Sequence, residues 1–447
     1  MNTLLNLSLN KQPLLKNSQL IIIAFATAFF PRIINTIGLP ATINFIHFAL
    51  VPLCCVIAIL TTKIKLKKQI FFCKSLLTCL FLFLILITIS ALLNQAGIIN
   101  IILSFLLLTE PFILLLAIIC LPISTTSLEN FRNWIIYFGI INIVLALCQH
   151  FLITTGLLPV TFMQPEDNVQ GVFYLSGSGH VVSASVSMSL ALFNFSSYNN
   201  QSLLIKISIF VAACMQLLFA DAKQVIVVWL AAWLMLILIK SKDLKTALQY
   251  LIAAIIVIWS LWWCIDNLPI FSAFKAWIRP EIYGLNGVAT QLKTAPFRII
   301  PTYYQSSWNW LFGLGPGHTI GRLGGWMLQD YASLLQPLGA TVHPASLAVW
   351  QTYIGHWLDS TFFSPLWGWA GIWGDFGLLG LAAYLGIIIL IWQYICNDDF
   401  SRFTILTMMI FGLILTQMEE PGYMLSMTTF IGLKWHENQI HRHPYLS

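Results

Sequence analysis

Residues 70–93 read IFFCKSLLTCLFLFLILITISALL, an apolar run whose only charge is Lys74. A helix rises about 1.5 Å per residue, so about 20 such residues cross the roughly 30 Å of hydrocarbon in a bilayer. The same kind of run recurs on both sides, from Ile21 to Leu433. Read between polar breaks, the runs predict spans near 19–37, 42–62, 70–93, 99–121, 132–154, 181–196, 203–220, 224–239, 247–265, 366–393, 403–417 and 422–433. They lack the alternation that β-barrel strands require, and in lipid a helix is the other way for backbone N–H and C=O groups to satisfy one another. The chain is 58% hydrophobic and 9% charged, against about 25% charged residues in soluble domains, so water is not the solvent for most of its surface. The expected fold class is all-α, a polytopic transmembrane helical bundle of about 12 spans with one large helical extracytoplasmic loop. Its expected divisions are 1–265 for transmembrane helices 1–9, 266–365 for the loop, and 366–447 for transmembrane helices 10–12 with a cytoplasmic tail.

The first run follows Lys11 and Lys16 as a signal peptide would, but so many runs come after it that a retained first helix is expected. Charge placement sets orientation. With the N-terminus in the cytoplasm, fifteen of the 22 basic residues fall inside, Lys63, Lys65, Lys67, Lys68, Lys240, Lys242, Lys245 and Arg402 among them. Arg32, Lys223, Lys275, Arg279, Lys293, Arg298 and Arg322 fall outside, five of them in the long loop. The positive-inside bias therefore puts both termini in the cytoplasm and the loop on the other side. The net charge of +6 is then a report on topology, and nucleic acid is not an expected partner. All nine cysteines lie in or beside apolar runs and none lies within 266–365, which excludes a disulfide framework in the loop and leaves no CxxC metal pattern. No internal repeat and no inverted pair of broken spans is present.

A loop of this length is expected to be folded and functional. Amphipathic stretches at 270–278 and 346–358 are separated by turn signals at Pro280, Gly284, Gly313–Gly317 and Gly324–Gly325. Downstream of Arg298 the chain reads Gly313-Leu-Gly315-Pro-Gly317-His318. Glycines in such a turn let backbone approach a ligand, and successive N–H groups can form an anion nest. The alternative is a tight turn between two surface helices. Nine of the 17 tryptophans lie between Trp277 and Trp373, where they serve either as flat faces for sugar rings or as an interfacial aromatic belt.

The order of these features resembles the O-antigen ligase and O-antigen polymerase family of bacterial envelope glycosyltransferases, in which a similar arginine, tryptophan and Gly-x-Gly-Pro-Gly run opens the large periplasmic loop. Two further places fit. Leu218-Phe-Ala-Asp-Ala-Lys223-Gln stands where the family carries Ser-Arg-Gly at the outer end of a span, and Gly374-Asp375-Phe376-Gly377-Leu-Leu-Gly380-Leu is similar to the Glu-x-Gly-Leu-x-Gly that begins the span after the loop. The resemblance covers roughly residues 200–395. Lys223 replaces the expected arginine, and a lysine neutralises a phosphate without gripping it bidentately. Pro365-Leu366 occupies the stretch where the family carries a His-Asn pair, which favours polymerase over ligase.

The resemblance implies transfer of glycan from a polyprenyl (undecaprenyl) diphosphate carrier at the outer side of the bacterial cytoplasmic membrane. Its expected partners are the lipid-linked oligosaccharide donor, a glycan acceptor, membrane lipids and other polysaccharide assembly proteins, with no metal and no cofactor. Outward-facing cations would stabilise the departing diphosphate, and Arg298, Lys223 and Arg322 are the candidates, set against ordinary anchoring to lipid headgroups. The acceptor hydroxyl needs a proton acceptor. The loop offers His318, His343, His356, Asp330 and Asp359, of which His343 is favoured and Asp359 second; the alternative for each is helix capping or solvent exposure. Asp375 is expected at a helix start. Glu110, a carboxylate inside an apolar run, marks a separate functional hypothesis, and it is expected to pack against Arg32 or another span end; the alternative to a continuous span over 99–121 is a broken or re-entrant helix marked by Glu110-Pro111. Competing classes are a flippase or other polytopic transporter, which would need a polar path through the bilayer, and a non-catalytic assembly subunit.

Overall fold

The computed structural model describes residues 16–62, 67–122, 124–161, 164–174, 178–197, 201–240, 244–268, 280–354 and 363–442. Asp359, His356, Lys275 and Arg279 lie outside the described residues. The architecture is all-helical, with no strand among the described residues. Every apolar run read from the sequence is helical: α1 (Asn17–Phe29), α2 (Pro31–Thr36), α3 (Ile46–Leu60), α4 (Lys67–Leu93), α5 (Ile98–Cys120), α6 (Thr125–Thr154), α7 (Gly179–Ser196), α8 (Leu203–Phe219), α9 (Lys223–Lys240) and α10 (Leu244–Asn267). Short helices follow, including α11 (Val288–Ile299), α12 (Trp308–Phe312) and α13 (Pro344–Gln351), before the long α14 (Gly368–Tyr394), α15 (Asp399–Ile414) and α16 (Pro421–Arg442). Six helices are long and apolar enough to cross a bilayer: Ala41–Leu60, α4, α5, α6, α9 and α14.

Helix α5 lies at the centre, packed on α3, α4 and α16. It is predominantly apolar, and such a helix is stable where neighbours cover it; Leu107, Phe112, Leu115 and Ile119 are all buried. The peripheral helices instead expose Leu60, Phe81, Leu92, Phe151, Leu218 and Trp233. A soluble monomer does not tolerate so much contiguous apolar surface, and the belt is compatible with a membrane protein. Between helices the attraction then comes from close packing and polar contacts. The serine-rich face of α7 supplies both: the Ser187 hydroxyl donates to Gln216 of α8 at 2.7 Å and accepts from Asn142 of α6 at 2.9 Å.

Two prolines behave differently. Pro31 divides the first predicted span at Phe30, because a residue without an N–H fits at the start of a helix and not in its middle. Pro111 interrupts nothing. Helix α5 runs continuously through it, and the carboxylate of Glu110 meets Nδ1 of His47 at 2.8 Å, not Arg32. Both partners are buried.

Helix α14 is broken at Gly377, where φ is 66° and ψ −162°. The break frees carbonyls that the segment following α12 recaptures. Leu314 N–H donates to Gly374 O at 2.9 Å and Gly315 N–H to Asp375 O at 3.0 Å. The Ser90 hydroxyl of α4 reaches the carbonyls of Phe312 and Asp375 at 2.5 and 2.8 Å. Backbone meets backbone here: a β-carbon on Gly313 would stand 2.4 Å from the Asp375 carbonyl carbon, and one on Gly377 equally close to Leu311.

Candidate functional site

The glycine turn is buried from Gly313 to Arg322. Gly313, Gly315 and Gly317 have φ of 72°, 105° and 67°, the left-handed region that L side chains rarely adopt. The turn does form a nest, but its occupant is Asp375. Gly317 N–H donates to Oδ2 at 2.8 Å, Thr319 N–H to Oδ1 at 2.8 Å and the Thr319 hydroxyl to Oδ1 at 2.6 Å. These donors therefore serve to lock the turn onto α14, and Asp375 is not at a helix start but at a helix break. Further staples come from the first turn of α5, where Asn100 donates to Pro316 O and Thr341 O, each at 2.9 Å, and accepts from Thr341 N–H at 2.9 Å.

The turn carries Arg322 to the head of a π-helical stretch, Leu323–Met327, a wide turn frequent at functional sites. Arg322 lines a cavity of about 590 Å³ between this segment and the ends of the bundle helices. Arg32 and Asn35 of α2 face it from one side, Ser178 and Val182 from another, and Thr416, Gln417 and Glu420 of the α15–α16 turn from a third. Trp326, Tyr331, Trp350 and Tyr353 give it aromatic walls, with Asp330 at its edge.

Arg322 is held from three directions. Its guanidinium pairs with Glu420 and lies over the Trp326 ring, 4.8 Å from the centroid, and its N–H donates to Glu419 Oε2 at 2.7 Å. Burial pushes its pKa down, and the Glu420 carboxylate opposes that shift. Arg32 has no ion-pair partner among the described residues. The cavity thus offers one paired and one unpaired guanidinium beside aromatic faces. Asp330 is exposed, yet partial desolvation raises its pKa.

Of the three cations chosen from the sequence, Arg322 lines the cavity while Arg298 and Lys223 do not. Arg298 is exposed near the end of α11 and donates to Gln291 O at 2.7 Å. Lys223 starts α9, paired with Asp221 at 2.8 Å. His343 caps α13, its Nδ1 accepting from Ala345 N–H at 3.1 Å, and burial lowers its pKa. Its ring stacks on His318, with centroids 5.3 Å apart. His318 is buried and fully engaged: Nδ1 meets Leu314 O at 2.8 Å and Nε2 the Thr341 hydroxyl at 2.9 Å. Burial brings its pKa down to about 4.

Sequence reasoning did not place Arg32, Glu420 or Lys293 at a site. The consecutive carboxylates Glu419-Glu420 before Pro421 were an available signal, because two charges between apolar runs need partners. Lys293 is half-buried on α11 and donates to Ile414 O, the end of α15, at 2.5 Å; desolvation of its amine lowers its pKa to about 7. Among the described residues no group of three or more His, Cys, Asp or Glu side chains is placed to hold a metal ion. No family model matches the chain, and no curated protein matches it either.

Proposed function

We propose that this chain is a membrane glycosyltransferase that polymerises, in preference to ligating, lipid-diphosphate-linked oligosaccharide at the outer face of a bacterial cytoplasmic membrane. The observation that carries the proposal is the convergence of Arg32 and Arg322 with Trp326, Tyr331, Trp350 and Tyr353 on one cavity. A departing diphosphate concentrates negative charge, and guanidinium groups held in advance by the fold stabilise it without reorganising. Aromatic faces suit the C–H faces of sugar rings. In this reading all twelve apolar runs span the bilayer, both termini are cytoplasmic, and the segment between α10 and α14 is the outer loop.

The donor's diphosphate would take Arg32 first, and Arg322 as it exchanges Glu420 for phosphate oxygen. The acceptor hydroxyl then attacks the anomeric carbon as the bond to the diphosphate oxygen breaks. The proton passes to a base, for which Asp330 of the cavity lining joins the sequence candidates His343 and Asp359. The lipid diphosphate is itself the leaving group, so the reaction calls for no nucleotide sugar or cofactor. Arg298 and Lys223 stand apart from the lining and would meet headgroups where the lipid-linked donor approaches.

A second reading, a carrier of lipid-linked oligosaccharide between leaflets, is favoured by the His47–Glu110 pair, because titratable groups inside apolar helices commonly mark transport or proton paths. Proteoliposomes loaded with lipid-linked oligosaccharide separate the two. Arg32→Ala and Arg322→Ala proteins, inserted at wild-type levels, are expected to lose long polymer on a gel. Full-length polymer from both would overturn the proposal, and leaflet transfer without lengthening by the wild type would favour the carrier.

A further inference from the structure

We infer that the small space between α5, α14 and the α15–α16 turn is a site for a dehydrated monovalent cation, Na⁺ by size. Ser104, Gly321, Gly371, Asp375 and Glu419 line it, and its volume is about 10 Å³, the room of roughly one water-sized sphere. The glycines create that room. The carboxylate of Glu419 comes within 3.0 Å of where a β-carbon on Gly321 would stand, and within 3.5 Å for Gly371.

Charge is the first argument. Asp375, Glu419 and Glu420 are all buried, and among the described residues the ion pair formed by these three is that of Glu420 with Arg322. One guanidinium thus serves three buried carboxylates, touching Glu420 and acting on Glu419 from further off, and a low-dielectric interior does not accept the excess negative charge unless a cation or a proton joins it. Hydrogen bonding decides between the two. Glu419 Oε2 accepts from Arg322 N–H at 2.7 Å, while Oε1 is buried and has no hydrogen-bond partner among the described residues. A proton on Oε1 would find no protein acceptor among the described residues and would need a water in the same space, whereas a cation there completes the oxygen directly.

Size and ligand type narrow the ion. The lining supplies carboxylate oxygen and the Ser104 hydroxyl, hard ligands suited to hard cations. Leu108 and Phe376 close the remainder with apolar surface, leaving no room for the waters that Mg²⁺ retains or for the six to eight oxygens that Ca²⁺ gathers. Because α5, α14 and the α15–α16 turn all contribute, the ion would tie the glycine turn and the wall of the large cavity to the centre of the bundle.

The test is thermal unfolding of the purified full chain in detergent at pH 7.5, in NaCl against choline chloride at equal ionic strength. The wild type is expected to melt higher in Na⁺, saturably and by roughly 3–6 °C, and Glu419→Gln is expected to lose the difference. Should Glu419→Gln fail to accumulate, Ser104→Ala is read instead, with roughly tenfold more Na⁺ required for the same shift. Equal melting of the wild type in the two salts, a Na⁺ effect undiminished in the variant that is read, or a melting point that follows pH and ignores Na⁺ would each overturn the inference. No glycan substrate enters the assay, so its outcome is independent of the proposed activity.

Discussion

Asp375 receives the backbone of Gly317 at 2.8 Å, across 58 residues of chain. The anion nest expected from the sequence is thus closed by the protein's own carboxylate, and the glycine turn is a joint between the short-helix segment and a broken long helix. The Gly317 and Thr319 N–H groups both give their hydrogen bonds to an anion, and hydrogen bonds to charged groups contribute about 1.5–3 kcal/mol each. Asp375→Asn turns one accepting oxygen into a donor that faces an N–H. It should destabilise by about 2–4 kcal/mol, seen as a melting point several degrees lower in detergent. Asp330→Asn, at an exposed position, should change stability by less than about 0.5 kcal/mol. Equal shifts in the two proteins would show that Asp375 is not the closing group.

Gly313 and Gly339 separate backbone conformation from space. Both have positive φ, 72° and 92°, but a β-carbon on Gly313 would enter the Asp375 backbone while one on Gly339 would meet nothing within 4 Å. Gly339→Ala should therefore cost about 1 kcal/mol, the conformational penalty alone. Gly313→Ala has to separate two crossing backbones and should abolish folded protein on size-exclusion chromatography. A well-folded Gly313→Ala protein would show that the crossing at Gly377 yields easily.

Apolar periodicity was enough to find the helices, since a run such as 70–93 leaves its backbone no other way to be satisfied in lipid. The run does not reveal where a helix breaks. Pro31 and Pro111 look alike in sequence, yet one starts a helix and the other lies within one, because the outcome depends on what covers the freed carbonyl. Gly377 breaks α14 only because Leu314 and Gly315 arrive to bond the released carbonyls. The cavity is the hardest case. Arg322 could be picked out with Arg298 and Lys223 as an outward-facing cation, but Arg32 lies near the other end of the chain, and nothing local to it indicates that it shares a wall with Arg322. Acid–base candidates were sought among the loop histidines and aspartates, and His318 proved to be a buried structural group.

His318 makes stability depend on pH. The tautomer that satisfies both neighbours carries its proton on Nδ1, donating to Leu314 O while Nε2 accepts from the Thr341 hydroxyl. Folded, its pKa is about 4 against an ordinary 6.5, so between those values the unfolded chain binds the extra proton. The stability associated with the neutral ring is fully present above pH 6.5 and is lost as pH falls toward 4, by at most about 3 kcal/mol. Melting followed from pH 7 to pH 4.5 should show this fall in the wild type, and a smaller one in His318→Gln. The same slope in both would assign the pH dependence to other groups.

The His47–Glu110 pair predicts strong non-additivity. The two groups touch at 2.8 Å, both buried, one on α3 and one on α5. Removing one partner leaves the other polar and unsatisfied in an apolar interior, a change that costs about 3–5 kcal/mol for buried ion pairs. Replacing both with apolar groups of similar volume removes the desolvation penalty together with the attraction, and is commonly neutral. His47→Phe and Glu110→Leu should each lower the melting point markedly, with Glu110 left alone the worse case because a carboxylate is costly in hydrocarbon. The double variant should recover most of the loss, giving a coupling of about 2 kcal/mol or more in a double-mutant cycle. Additive losses would mean that each side chain is held by its own surroundings, and the pair would then lose its standing as the feature that favours a carrier.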